Sequence, residues 1–152
     1  MFIGSNSITL DSKNRITIPT KYRDGLFVDY QGKMVCTVHT ESRCLLLYPQ
    51  AEWEELELKL SRLSDMHRSE RIIKRLLLGN ATECDLDKNG RLLLSPVLRQ
   101  HANLEKNVML VGLHNKFEIW NEADWYAETQ QGIADNQQGN LEPTERLSDL
   151  SL

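Results

Sequence analysis

Hydrophobic and polar positions follow one pattern that the chain uses twice. The segment DSKNRITIPTKYR at 11–23 returns as DKNGRLLLSPVLR at 87–99, 76 residues later. Self-similarity at a fixed spacing marks repeated structural units. Asp11 aligns with Asp87, Arg15 with Arg91, Ile16 and Ile18 with Leu92 and Leu94, and Arg23 with Arg99. Downstream, with small differences in loop length, MVCTV at 34–38 faces VMLVG at 108–112, and YPQAEW at 48–53 faces WNEADW at 120–125.

Each copy predicts the same elements. A short strand enters a polar turn and leaves as an apolar or alternating strand, Arg15–Ile18 or Arg91–Leu94, which stops at Pro19 or Pro96. A brief helical turn follows, Tyr22–Leu26 in one copy and Leu98–Ala102 in the other. Two strands joined by a turn come next, 34–38 with 44–48 and 108–112 with 116–120. Pro49 suits the first position of a helix and Asn121 the cap of its counterpart, with Trp53 and Trp125 as core anchors on the first turns.

Between the copies the pattern is helical. Trp53, Leu56, Leu60 and Leu63 recur at helical spacing, and Ile72, Ile73, Leu76 and Leu77 form the stripe of a second helix closed by Gly79-Asn80. The opposite face of that second helix carries Arg68, Arg71, Lys74 and Arg75, which read as a solvated face, with a supporting phosphate contact as the second reading. After Thr129 the polar run QQGIADNQQGN predicts flexible chain, and ERLSDLSL adds an amphipathic turn or two.

Composition narrows the class. With 152 residues, 40% hydrophobic and 26% charged, the chain is a soluble globular protein. No apolar run reaches the roughly 20 residues of a membrane span, and MFIGSNSITL lacks the basic flank and apolar stretch of a signal peptide. Cys36, Cys44 and Cys84 are odd in number and form no Cys-x-x-Cys, which predicts buried free thiols in a reducing, cytoplasmic compartment. The chain has 18 bases and 22 acids, net −4; residues 121–152 hold seven of the acids and only Arg146, which leaves 17 bases and 15 acids, net +2, in residues 1–120. An acidic tail on a mildly basic body hides a polyanion-binding face from a whole-chain count.

No catalytic motif is present. There is no Gly-x-Ser-x-Gly, no phosphate-binding loop and no dinucleotide fingerprint, and His39, His67, His101 and His114 fit no metal-ligand spacing. The expectation is therefore no catalytic residue, no metal and no cofactor.

The repeated turn carries the informative chemistry. An Asp opens it, an Arg closes it four residues on, and the residue before the Arg is Asn14 in one copy and Gly90 in the other. Asn and Gly tolerate positive φ best, so both turns call for a left-handed residue there. Asp11 and Asp87 accept hydrogen bonds from backbone amides two residues on and pair with Arg15 and Arg91. On one reading Asp and Arg simply staple a hairpin; on the other Lys13, Arg15, Lys88 and Arg91 cluster at projecting tips that meet phosphates or guanine edges. A two-stranded ribbon fits the major groove of B-DNA, and the two readings coexist if Asp is structural and the bases are exposed. Lys21 and Arg23, which follow the first turn, complete the DNA-binding candidates.

The paired Asp-x-x-x-Arg motifs, DSKNRITIPTKYR, RLLLG at 75–79 and RLLLSPVLRQHA at 91–102 resemble the MraZ family of bacterial transcription regulators. The resemblance runs from Phe2 to about Trp125 and into ERLSDLSL. It implies an α+β fold of two tandem AbrB-like swapped-hairpin β modules, each acting as half of a pseudo-dimer. Module 1 then occupies 1–53, connecting helices 54–80, module 2 81–125, and an acidic, partly flexible tail 126–152. The resemblance further implies a ring-shaped homo-oligomer that binds short direct repeats in double-stranded DNA upstream of its own division and cell-wall gene cluster, as a nucleoid-associated repressor. The family pattern has Gly where this chain has Asn14, which keeps the left-handed backbone and adds a side chain at the tip. Two other classes compete: an AbrB-like protein-interaction ring with incidental basic tips, and an enzyme with an unrecognised site.

Overall fold

The computed structural model describes residues 1–152, which divide into two compact units, Met1–Glu122 and Ala123–Leu152. The first unit contains β1 (Phe2–Thr9), β2 (Arg15–Thr17), α1 (Thr20–Tyr30), β3 (Met34–Val38), β4 (Leu45–Pro49), α2 (Gln50–Ser61) and α3 (Arg68–Gly79). The pattern then restarts with β5 (Thr82–Glu83), β6 (Arg91–Leu93), α4 (Pro96–His101), β7 (Asn107–His114) and β8 (Phe117–Asn121). Helix α5 (Glu122–Gln137) and the short α6 (Glu145–Ser148) complete the chain.

The two copies interlock. The main sheet has the order β1-β7-β8-β4-β3-β5, so the opening strand of each copy pairs with a strand of the other. β1 lies antiparallel to β7, with Ser7 opposite Met109, and β5 lies antiparallel to β3, with Glu83 opposite Val35. Under the sequence alignment these are the same pairing seen from either copy. The ribbon β2–β6 is also shared: Ile16 pairs with its own counterpart Leu92, and at the sheet centre Leu46 pairs with its counterpart Glu118. A pseudo-twofold axis therefore runs through Ile16–Leu92 and Leu46–Glu118. This is the swapped-hairpin α+β architecture expected of tandem modules.

Burial explains the apolar runs. In β3 and β4, Met34, Cys36, Val38, Leu45 and Leu47 pack into a core with Ile16, Ile18, Leu92 and Leu94 of the ribbon, together with Leu26 and Leu98. The alternate residues Val35, Leu46 and Tyr48 pack against Trp53, Leu60 and Leu77 of α2 and α3. Strands covered on both faces read as continuous hydrophobic sequence rather than as alternation. Each large side chain buried there contributes roughly 1.5–3 kcal/mol. Cys36, Cys44 and Cys84 are free and buried, and the Cys36 thiol is pushed well up, first by its contact with Cys84 and then by burial.

Several boundaries differ from expectation. The first helical turn extends to eleven residues as α1, ending at Gln31 in the left-handed conformation (φ 54°), whose amide bonds back to Phe27. Pro49 stands one place earlier than expected, closing β4 as the residue before α2. Gly79 is the last residue of α3, and the helix end is closed by the Asn80 side chain donating to the Leu76 carbonyl at 2.9 Å. Asn121 donates its side-chain amide to the Asn103 carbonyl at 2.8 Å. Past Thr129 the chain stays helical to Gln137 rather than losing regular structure. Gln130, Gln131, Ala134 and Gln137 are good helix formers, no proline interrupts the stretch, and Gly132 alone costs about 1 kcal/mol, too little to break a helix. In the second unit Thr144 caps α6 by accepting from the Leu147 amide. No helix is long and apolar enough to cross a membrane.

Candidate nucleic-acid interface

The two Asp-x-x-x-Arg turns have the same internal geometry. In the first, Asp11 Oδ1 accepts from the amides of Lys13 (2.8 Å) and Arg15 (2.9 Å), and Oδ2 accepts from Arg15 Nε (3.0 Å). In the second, Asp87 Oδ1 accepts from the amides of Asn89 (2.8 Å) and Arg91 (3.0 Å), and Oδ2 from Arg91 Nε (3.0 Å). Asn14 at φ 63° and Gly90 at φ 75° supply the left-handed residue. Hydrogen bonds to the charged form favour it. The Arg15 amide, with help from the Lys13 amide and the Arg15 side chain, holds the Asp11 carboxyl below its usual pKa, and the Arg91 amide leads the same effect on Asp87.

This geometry assigns the parts. The carboxylates are consumed in shaping the turns. Each Arg side chain gives only its Nε to the Asp, so the two terminal nitrogens of Arg15 and of Arg91 make no hydrogen bond within the protein. Lys13 and Lys88 are exposed at the turn tips.

The ribbon sets which residues share the outer face. Ile16 and Leu92 are 0% and 1% exposed and face the core, so Arg15, Thr17, Arg91 and Leu93 face outward at the two-residue period of a strand. The Ile18 amide bonds to the Gly90 carbonyl and the Leu94 amide to the Asn14 carbonyl, at 2.8 and 3.0 Å. Counting by two, Arg15–Leu93 and Thr17–Arg91 are then non-hydrogen-bonded pairs, whose Cα atoms stand about 4.5 Å apart with side chains adjacent. The outer face thus carries an arginine at each end, one beside leucine and the other beside threonine. Thr17 and Leu93 were not among the sequence candidates; the alternation outward from Arg15 was the signal that pointed to them.

Other candidates fall differently. Arg23 serves the opposite turn: its Nε donates to the Ile18 carbonyl at 2.8 Å, and its aliphatic part lies over Gly90 of the second copy. Its counterpart Arg99 donates to the carbonyl of Leu94 at 3.1 Å, the residue whose own amide bonds to the Asn14 carbonyl. Lys21 is not at the tips. Its Nζ sits over the Tyr22 ring, 4.9 Å from the centroid, and close to Gly4. Gly4 is seven residues of extended chain, about 23 Å, from Asp11. On α3, Lys74 pairs with Asp65 at 2.8 Å and Arg71 donates to the Asp65 carbonyl at 2.9 Å, so half of that basic face orders the preceding loop. No cluster of three or more His, Cys, Asp or Glu side chains is arranged to hold a metal ion.

Comparison with known proteins agrees with the repeat. A family model described as "MraZ protein, putative antitoxin-like" matches residues 1–76 and again 77–149. The chain is 62% identical over 152 residues to a protein of Colwellia psychrerythraea, 58% to one of Pseudoalteromonas atlantica and 55% to one of Klebsiella pneumoniae, each covered in full on both sides and each named "Transcriptional regulator MraZ".

Proposed function

The chain belongs to the MraZ family, and from that premise we propose that it is a transcriptional regulator that binds double-stranded DNA sequence-specifically. In this reading it represses the division and cell-wall gene cluster, its own gene included, by engaging short direct repeats near the promoter. The observation that carries the reading is the β2–β6 ribbon with its flanking turns. Two arginines with unused terminal nitrogens and two exposed lysines lie on one antiparallel ribbon, the element whose width suits the major groove. Arg15 and Arg91 read guanine edges or clasp phosphates, Lys13 and Lys88 add phosphate attraction, and Asp11 and Asp87 hold the arginines in register.

Assembly supplies the affinity. A single ribbon with four cations binds non-specific DNA weakly, on the order of 10⁻⁴ M at physiological salt. A ring of identical chains on direct repeats gains roughly 10²–10⁴ in avidity without a new contact. Head-to-tail contacts between subunits, which close into rings, match repeats that all point one way. Association with the nucleoid follows from the same binding.

The test is a gel shift at two salt concentrations with duplex from upstream of the chain's own gene, carrying one, two or three repeats. Affinity climbs steeply with repeat number for the assembled protein and stays flat for a variant that light scattering shows to be monomeric. A monomer that holds one repeat as tightly as the assembly holds several overturns the avidity argument. Failure to prefer upstream DNA over unrelated duplex at either salt overturns the DNA-binding reading and leaves the interaction ring.

A further inference from the structure

The pseudo-twofold axis makes the two ends of the ribbon alike in backbone but not in chemistry. Arg15 stands opposite Leu93, and its symmetry mate Arg91 stands opposite Thr17. Leu93 is 60% exposed, in a two-stranded ribbon whose inner residues Ile16 and Leu92 are sealed in the core. A leucine held in water next to a cation gains nothing from the fold. Its neighbours at the adjacent positions, Leu92 and Leu94, are both buried, so the exposure is set by strand alternation and is not a result of local opening.

We propose that Leu93 is a specificity-determining residue that packs on the 5-methyl group of a thymine, one base step from the base read by Arg15. The inference rests on the DNA-binding reading above and extends it. In the major groove thymine alone among the four bases presents a methyl group, and apolar side chains recognise it by contact. Arg15 and Leu93 form a non-hydrogen-bonded cross-strand pair with Cα atoms about 4.5 Å apart. Successive bases step by about 3.4 Å along the helix axis. The two side chains therefore fall on neighbouring bases, the guanidinium taking a guanine edge through its two free terminal nitrogens and the leucine covering the methyl beside it. At the other end Thr17 offers one methyl and a hydroxyl in place of an isobutyl group, so it covers less of a thymine methyl than Leu93 does. One end of the ribbon accordingly demands a thymine and the other tolerates more, so each repeat is read with a direction. A site with a direction is what repeats of one orientation require.

The experiment uses the full-length protein and the upstream duplex amplified either with thymidine or with deoxyuridine, which removes every 5-methyl group and leaves base pairing intact. Wild type binds the deoxyuridine duplex about fourfold more weakly per repeat, the value of one buried methyl-sized group. Leu93→Ala binds the thymidine duplex with the same fourfold loss and does not distinguish the two duplexes. Leu93→Thr falls between wild type and Leu93→Ala, because one methyl remains to meet the thymine and the two ends of the ribbon become chemically equal. Two results overturn the proposal: Leu93→Ala that binds thymidine duplex as wild type does, or Leu93→Ala that retains the full preference for thymidine. A changed assembly size for Leu93→Ala in light scattering, with the thymidine preference intact, also overturns it and gives Leu93 to contact between subunits. Arg15→Ala is measured alongside. If Arg15→Ala loses upstream DNA while the Leu93 variants do not, this proposal alone fails; if Arg15→Ala binds like wild type, the DNA-binding reading of the ribbon fails with it.

Discussion

The side chain of Arg23 lies across Gly90, a residue of the other copy, so closely that a Cβ there would stand 2.3 Å from Arg23 Cδ and 2.5 Å from Nε. Gly90 is buried for this reason, although it sits in a surface turn. Gly90→Ala must adopt a left-handed conformation that alanine disfavours and must also displace Arg23. The first effect alone costs about 1–3 kcal/mol, so thermal melting shows a clear drop in Tm. Asn14→Gly, at φ 63°, makes the other turn more permissive and leaves Tm close to wild type.

Arg15→Ala abolishes preference for upstream DNA and leaves the fold intact. Arg15 closes an exposed turn through Asp11 and carries none of the core, while its terminal nitrogens are unused inside the protein. Fluorescence anisotropy reports the binding loss, and circular dichroism with a melting curve close to wild type reports the intact fold. A collapsed melting curve would instead make the Asp–Arg pair a staple.

Arg91→Ala weakens DNA binding less than Arg15→Ala does at equal salt. Exposed Glu83 and Asp85 precede the second turn and dilute its potential, whereas the aligned positions before the first turn are Ser7 and Thr9, with the Glu122 carboxylate accepting from Ser7 Oγ. Titration over a range of salt adds a second readout. If Arg91 contacts a phosphate, its removal lowers the slope of log affinity against log salt by about 1 and weakens all sequences alike.

Asp11 and Asp87 make stability depend on acid in a definite direction. Both carboxyls are held below the ordinary value of 3.8, so the folded state favours the ionised form. Their contribution is fully present above the unfolded pKa near 3.8 and is lost as pH falls through the depressed folded value. Asp11→Ala with Asp87→Ala lowers Tm at neutral pH, and the gap from wild type closes as the pH drops below about 4. A gap that stays constant down to pH 2 would deny the carboxylates this role.

Much of this arrangement could be read from the chain because it rests on local rules. The duplication, the Asp-to-Arg spacing, the left-handed residue and the helical stripes each follow from neighbours within a few positions. The swap does not. Nothing near Arg23 in sequence says that it serves the turn at Gly90, because that contact exists only once β2 and β6 pair across the two copies. Lys21 follows the first turn closely in the chain, yet α1 carries it to the far end of β1 beside Gly4. Thr17 and Leu93 are uncharged, and their outward-facing positions are fixed by the register of the ribbon rather than by residue type. The length of α5 is obscured in the sequence by Gly132 and a run of polar residues, which in a stretch without proline are compatible with helix as well as loop.

The pairing of β1 with β7 also sets a timetable for the nascent chain. Thr9 meets Asn107, and Phe2 meets His114, so the partner of this eight-residue strand is made about a hundred residues after it. At about 5–20 residues per second the ribosome needs roughly 5–20 s to deliver that partner. Until Leu92 is made the first copy has its own hairpin, β3–β4, but neither the strand that pairs with β1 nor the half of the ribbon that seals Ile16. Contacts this distant in sequence slow folding and leave an open strand edge exposed to other chains. Folding of the sheet therefore waits for β7 to be made, and a polypeptide cut short before Asn107 is a candidate for chaperones or proteases rather than a working half.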